Sequence, residues 1–210
     1  MDTFIWGPPM WKVLHTLSFS PPDELRKHKQ HVINFLDSLK DVLPCIYCRN
    51  SYGVFITELP PLDSVIDNGE LSRWMYDLHS KVNAKLEVKD PEYSRVQKRF
   101  TIRPKQWCPQ DVWDLIALFG INYSVEKSQM YRKWWENFIP VLGVSGADPV
   151  MLELMGGVTC PCENGEFVAT SMVLSSTYNK SRCFNSSEAV ELTRKYGLAK
   201  AKKCSKGTCK

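Results

Sequence analysis

The sequence predicts an all-α fold. Apolar residues recur at helical spacing along almost all of the 210 residues, strand-like alternation bounded by turn pairs is scarce, and proline pairs punctuate the helical segments. With 43% apolar content the chain can bury a core as one domain or as two small ones.

Taken in order, Pro8 and Pro9 are expected to open a first helix that carries Trp11, Leu14 and Leu17 and stops before Pro21-Pro22. Asp23 starts a second, with Val32, Phe35, Leu36, Leu39 and Val42 on its buried face. A third follows Pro44 and ends before Pro60-Pro61. A fourth, from about Glu70 to Leu86, turns Leu71, Trp74, Met75, Leu78 and Val82 inward. A short helix or turn near 91–100 then leads to a linker around Arg103-Pro104.

The second half echoes the first. Trp11-Lys12-Val13-Leu14-His15 parallels Trp113-Asp114-Leu115-Ile116-Ala117 at a shift of 102, and Phe35-Leu36 with Leu39 parallels Trp134-Trp135 with Phe138 at a shift of 99. A weaker match at a shift of 96 sets Leu78-His79 and Asn83 against Leu174-Ser175 and Asn179. Each step loses a reactive side chain: His15 becomes Ala117, and Cys45 and Cys48 become Val144 and Ala147. Read as a repeat, the second half is a scaffold; composition alone also makes two amphipathic helical segments look alike.

The chemistry concentrates at Cys45-Ile46-Tyr47-Cys48. A CxxC pair entering a helix is the geometry of a redox-active disulfide, because the free N–H groups and positive dipole end stabilise a thiolate, as would nearby Arg49. A zinc knuckle needs a second ligand pair at matching spacing, and none lies near in sequence. The start of the chain lacks a basic and apolar leader and no run of 18 apolar residues occurs, so neither secretion nor a membrane span is expected. The sequons at Asn122, Asn179 and Asn185 are then chance matches. Eight cysteines without a leader favour redox or metal chemistry over structural disulfides. The net charge of +4 is modest and gathers in a C-terminal run, Lys195 to Lys210, so no nucleic-acid partner is expected.

Three blocks in order, Trp6-Gly7-Pro8-Pro9-Met10-Trp11-Lys12-Val13-Leu14-His15, then Pro44-Cys45-Ile46-Tyr47-Cys48, then Trp74-Met75-Tyr76-Asp77-Leu78-His79-Ser80-Lys81-Val82-Asn83-Ala84-Lys85-Leu86, resemble the FAD-linked sulfhydryl oxidases of the Erv/ALR family. The resemblance implies a four-helix bundle plus a short fifth helix over 1–103, followed by a helical domain over 104–210. It implies that Cys45 and Cys48 are catalytic, with Cys45 exchanging with substrate thiols and Cys48 beside the flavin. It places Trp6, Gly7, Trp11, His15, Cys48, His79, Val82, Asn83, Lys85 and Arg99 around FAD. Tyr76 stands where cellular members carry a structural cysteine, and Ser80 where viral members carry Asn. The missing cysteine and the appended domain look most like the oxidases of large DNA viruses, which points to the cytoplasm, host cytoplasm or virion.

The expected reaction moves two electrons from thiol-containing protein substrates to molecular oxygen, directly or through a thioredoxin-like relay protein. Candidates for a second, shuttling pair are Cys204 with Cys209, favoured for its lysine-rich and terminal setting, and Cys160 with Cys162. Structural cross-linking of Cys108, Cys160, Cys162, Cys183, Cys204 and Cys209 is the competing reading, and a zinc site drawn from four of them a third. The resemblance also implies a homodimer through the first helices. A different class of function is a binding or scaffold module for virion or redox partners with a secondary oxidase core.

Overall fold

The structure, a computed structural model, describes residues 3–101, 109–121 and 123–183. Among them every regular element is helical. The first half contains α1 (Thr3–Ser18), α2 (Pro22–Lys27), α3 (Lys29–Val42), α4 (Ile46–Thr57), α5 (Leu62–Asp67), α6 (Leu71–Lys85) and α7 (Tyr93–Thr101). The second contains α8 (Pro109–Gly120), a 3₁₀ turn (Val125–Lys127), α9 (Ser128–Val144), α10 (Pro149–Gly156) and α11 (Phe167–Cys183).

Three local expectations are corrected. Helix α1 begins at Thr3, so Pro8 and Pro9 lie inside it rather than opening it. The segment expected as one helix from Asp23 divides at His28, whose φ of −108° and ψ of 22° leave the helical region. Helix α5, which carries Val65 and Ile66 into the core behind Pro61, was not expected. The buried face of α3 is as the periodicity predicts, with Val32, Phe35, Leu36, Leu39 and Val42 all inaccessible. On α6, Leu71, Trp74, Met75 and Leu78 are buried, whereas Val82 is a cavity wall rather than core.

The halves share one continuous apolar core. Contacts inside each half correspond: α1 packs on α6 as α8 packs on α11, α3 on α4 as α9 on α10, and α4 on α6 as α10 on α11. Between the halves, α1 meets α8 and α3 meets α9, so each helix touches its own sequence counterpart, the pairing that a two-fold axis produces. Phe35 stacks on Phe138 at 5.6 Å across this seam. Lys12 pairs with Asp111, Asp37 accepts from Lys133 at 2.9 Å, and His31 Nδ1 lies 2.9 Å from Asn137 Oδ1. The face that the resemblance offers to a second copy, on the first helices, is therefore packed beneath α8 and α9.

Candidate active site

Pro44 and an extended Cys45 (φ −114°, ψ 126°) feed the chain into α4, making Cys45 the residue that caps it. The Cys45 carbonyl accepts from the amides of Cys48 and Arg49 at 3.1 and 2.9 Å. Both cysteines are thiols here. Burial alone would raise the Cys45 thiol, but hydrogen bonds from the Cys48 side chain and from the backbone amides of Cys48 and Tyr47 hold it below its ordinary value. Cys48 is pushed the other way, by burial first and then by the neighbouring Cys45 sulfur, against a smaller opposing pull from Lys85. The pair is thus polarised, with the proton held on the inner sulfur. Arg49 was expected to steady the thiolate, yet its guanidinium donates to the Leu43 carbonyl; the helix amides do that work instead.

Cys48 faces a cavity of about 720 Å³ walled by α1, α3, α4, α6 and α7. That size lies within the usual range for small-molecule and cofactor sites. All ten residues expected around FAD line it: Trp6, Gly7, Trp11, His15, Cys48, His79, Val82, Asn83, Lys85 and Arg99.

The polar equipment of the cavity is sparse and fixed. His15 Nε2 and His79 Nδ1 lie 2.9 Å apart. Trp11 stacks flat on His79, with ring centres 3.7 Å apart and planes within 6°. Phe100 stacks on His15 at 5.2 Å. Burial, with smaller contributions from His79 and Arg99, lowers His15 to about 3, and burial lowers His79 to about 4 against the attraction of Asp90. Both rings are therefore neutral near pH 7 and offer donors and acceptors without charge. Asn83 donates to Asp90 at 2.7 Å, and Lys85 donates to the Ser51 hydroxyl. Two ring nitrogens on this wall, Trp6 Nε1 and His15 Nδ1, are buried without a partner among the described residues. Such orphans in an apolar wall call for a ligand with matching edge groups. Flat aromatic walls with a few edge donors fit a flavin nucleotide.

Leu39, Leu43, Ser51, Tyr52 and Phe55 also line the cavity and were not assigned to it from sequence. A signal was present for three of them, since 51, 52 and 55 stand three, four and seven residues after Cys48 on one helical face. Of the remaining cysteines, Cys160 and Cys162 are joined to each other, which removes both from a zinc site. Cys162 is buried and its carbonyl accepts from the Tyr123 hydroxyl at 2.5 Å, so this pair is packed into the second half. Among the described residues no group of three or more metal-ligating side chains occurs, and no helix is long and apolar enough to cross a membrane. Cys108, Cys204 and Cys209, the Arg103-Pro104 linker, Asn122, Asn185 and the basic C-terminal run lie outside the described residues, and Cys183 is described only in its backbone. The second-half positions aligned with the CxxC, Val144 and Ala147, are buried and apolar.

The model of the Erv1 / Alr family matches residues 8–101. The chain is 30% identical over 109 residues to the mitochondrial FAD-linked sulfhydryl oxidase ERV1 of Saccharomyces cerevisiae, covering 51% of this chain and 52% of the relative. It is 31% identical over 80 residues to the probable FAD-linked sulfhydryl oxidase R368 of Acanthamoeba polyphaga mimivirus, covering 37% and 56%. It is 32% identical over 90 residues to the FAD-linked sulfhydryl oxidase of African swine fever virus, covering 40% and 70%. The chain thus spans about half the length of the yeast and mimivirus relatives. No solved structure gives a significant match.

Proposed function

The chain belongs to the Erv1/Alr family, and on that premise we propose that it is an FAD-dependent thiol oxidase that forms disulfides in protein substrates. The observation that carries this reading is the convergence of a polarised CxxC, through Cys48, and nine further expected residues on one aromatic-walled cavity. Trp6, Gly7, Trp11, His15, His79, Val82, Asn83, Lys85 and Arg99 would hold the cofactor, with neutral His15 and His79 serving as uncharged hydrogen-bonding groups.

With Cys45 and Cys48 joined, a substrate thiolate attacks Cys45 Sγ, forming a mixed disulfide and releasing Cys48 as a thiolate. A second substrate thiolate attacks the substrate sulfur of that bond and releases Cys45. The substrate leaves as a disulfide, and the two cysteines hold the electron pair. FAD held there would supply the two-electron acceptor through which the Cys45–Cys48 dithiol returns to its disulfide, with oxygen as the final acceptor and hydrogen peroxide as the product. The helix amides that lower the Cys45 thiol also make it the better leaving group in the second exchange.

The second half, in this reading, is a degenerate copy whose α8 and α9 buttress the helices that carry the cavity walls. A homodimer would then use a surface other than the first helices. The viral relatives support a site of action in the virion or host cytoplasm. The purified protein should show flavin absorbance and release peroxide on addition of dithiothreitol. Cys48→Ser should keep the flavin and lose the peroxide; absence of flavin even after FAD is added would overturn the reading.

A further inference from the structure

Over 167–179, α11 contains no Asp, Glu, Lys or Arg. One side of it packs on α8 and α10. On the other, Val168, Met172 and Val173 are 52%, 68% and 62% exposed, and Ile121, one residue past α8, is 57% exposed. Val168 and Met172 are one turn apart and Val173 follows, so the three make one apolar strip, the kind of surface that marks an interaction site.

The first half supplies the comparison. Helix α11 begins at Phe167, 96 residues after the Leu71 that begins α6, and the matched pairs Met75 with Ser171 and Leu78 with Leu174 are all buried. At this shift Val168 and Met172 match Ser72 and Tyr76. Those two are held by α7 and the chain leading into it. Ser72 Oγ lies 3.0 Å from the Tyr93 hydroxyl, the Tyr76 ring meets that of Tyr93 at 5.3 Å, and the Tyr76 hydroxyl donates to the Pro91 carbonyl at 2.9 Å. At the other end of α7, Phe100 stacks on Phe19 at 5.7 Å, and Phe19 matches Ile121 at the shift of 102. Three of the four exposed positions therefore match positions that α7 touches in the first half. Where α6 sets the charged Arg73 and Asp77 beside them, α11 has Ala169 and Val173.

The same shift carries α7 onto 189–197, which lie outside the described residues. Val96, Lys98, Arg99 and Phe100 become Leu192, Arg194, Lys195 and Tyr196, and Cys108 beyond them becomes Cys204. At helical spacing Ala189, Leu192 and Tyr196 share one face, and Glu191, Arg194 and Lys195 the opposite one. Ser187 stands before the run and Gly197 closes it, the residue types that start and stop a helix.

We propose that the exposed strip of α11, with Ile121, is the seat of residues 189–197 of the same chain, docked as an amphipathic helix in the way α7 docks on α6. The chain is long enough. Six extended steps from Cys183 to residue 189 span about 20 Å, against about 17 Å of helix between Met172 and Cys183. A second copy meeting the same face is the competing occupant, and only the tail brings a match in register. Seating also shortens a tether. Cys204 stands seven residues past 197 and would reach about 25 Å from the seat, against about 70 Å counted from Cys183, so the seat sets how far the Cys204 and Cys209 thiols travel.

The test uses the full chain with the photoreactive residue benzoylphenylalanine in place of Met172, ordinary and ¹⁵N-labelled protein being mixed, irradiated and read by peptide mass. Crosslinks should fall within 189–197, with none joining labelled to unlabelled chains. Joined chains would give the face to a second copy, and crosslinks elsewhere or none would leave it without the tail; either result overturns the docking. A second measurement keeps the native residues on the face and follows amide exchange over 171–176. Leu192→Asp combined with Tyr196→Asp should speed that exchange by about tenfold while exchange in α3 stays unchanged. Exchange that does not respond, or that rises equally in α3, would also overturn the docking. None of these outcomes depends on what the cavity of the first half binds.

Discussion

Mild acid should weaken this protein through one buried ring. His15 is lowered from 6.5 to about 3 in the folded state, first by burial and then by His79 and Arg99. Because the folded value is depressed, the neutral ring's contribution is fully present above about pH 6.5 and is lost as pH falls toward about 3. At pH 5 the unfolded ring lies about 1.5 units below its own value, and the folded ring is still neutral. Each unit is worth about 1.4 kcal/mol, so the loss between pH 7.5 and pH 5 is about 2 kcal/mol from His15 alone. His79 acts in the same direction, being lowered to about 4. Urea unfolding followed by tryptophan fluorescence reads this directly. With a slope of about 2 kcal/mol per molar urea, the midpoint should fall by about 1 M from this ring. His15→Asn removes the titration and should show a midpoint drop smaller by about that amount, whatever its stability at pH 7.5. Equal drops in the two proteins would refute the burial argument.

Two further outcomes follow from the geometry. In reduced protein, iodoacetamide should modify Cys45 before Cys48 at every pH from 6 to 9, read by peptide mass, because the helix amides lower one thiol while burial raises the other; faster modification of Cys48 would reverse the assigned roles. Gly120→Ala would place a Cβ 2.2 Å from the Cβ of Phe167, which is fully buried, so backbone must move. The cost should be about 3 kcal/mol, a fall in Tm of about 6–12 °C by thermal melt, and an unchanged Tm would contradict the close approach of α8 and α11.

What was legible in the sequence was whatever depended on local period or on a motif. The core face of α3 follows from apolar spacing, and nine of the ten cavity residues, all but Arg99, from three short blocks that the fold brings together. What was not legible depended on neighbours. His28 carries no breaking signal of its own, so the division of α2 from α3 was invisible. Val82 and Trp11 fit an apolar stripe that periodicity assigns to core, yet both border the cavity, because a helix facing a ligand shows the same stripe as one facing protein. The role given to Arg49 failed for a related reason: proximity in sequence says nothing about which carbonyl a long side chain will reach. Cys160 and Cys162 are joined across a single proline, a choice that spacing among six cysteines cannot make.

The seam between the halves has a consequence for how this molecule can vary. In an association of identical copies every contact across the axis occurs twice, so a substitution is felt at two places and each partner must suit itself. Here the cover is covalently attached, and the three polar bridges seen among the described residues are single. The positions matching Asp37 and Lys133 under the shift of 99 are Glu136 and Asn34, those matching Lys12 and Asp111 under the shift of 102 are Asp114 and Pro9, and His31 and Asn137 correspond to Met130 and Ser38. None of these reproduces its counterpart's bridge. Freed from self-complementarity, one side has specialised as lid and the other as working face. Because the lid travels on the same chain, its attachment does not depend on concentration: dilution that would dissociate a two-chain arrangement leaves the walls of the cavity supported.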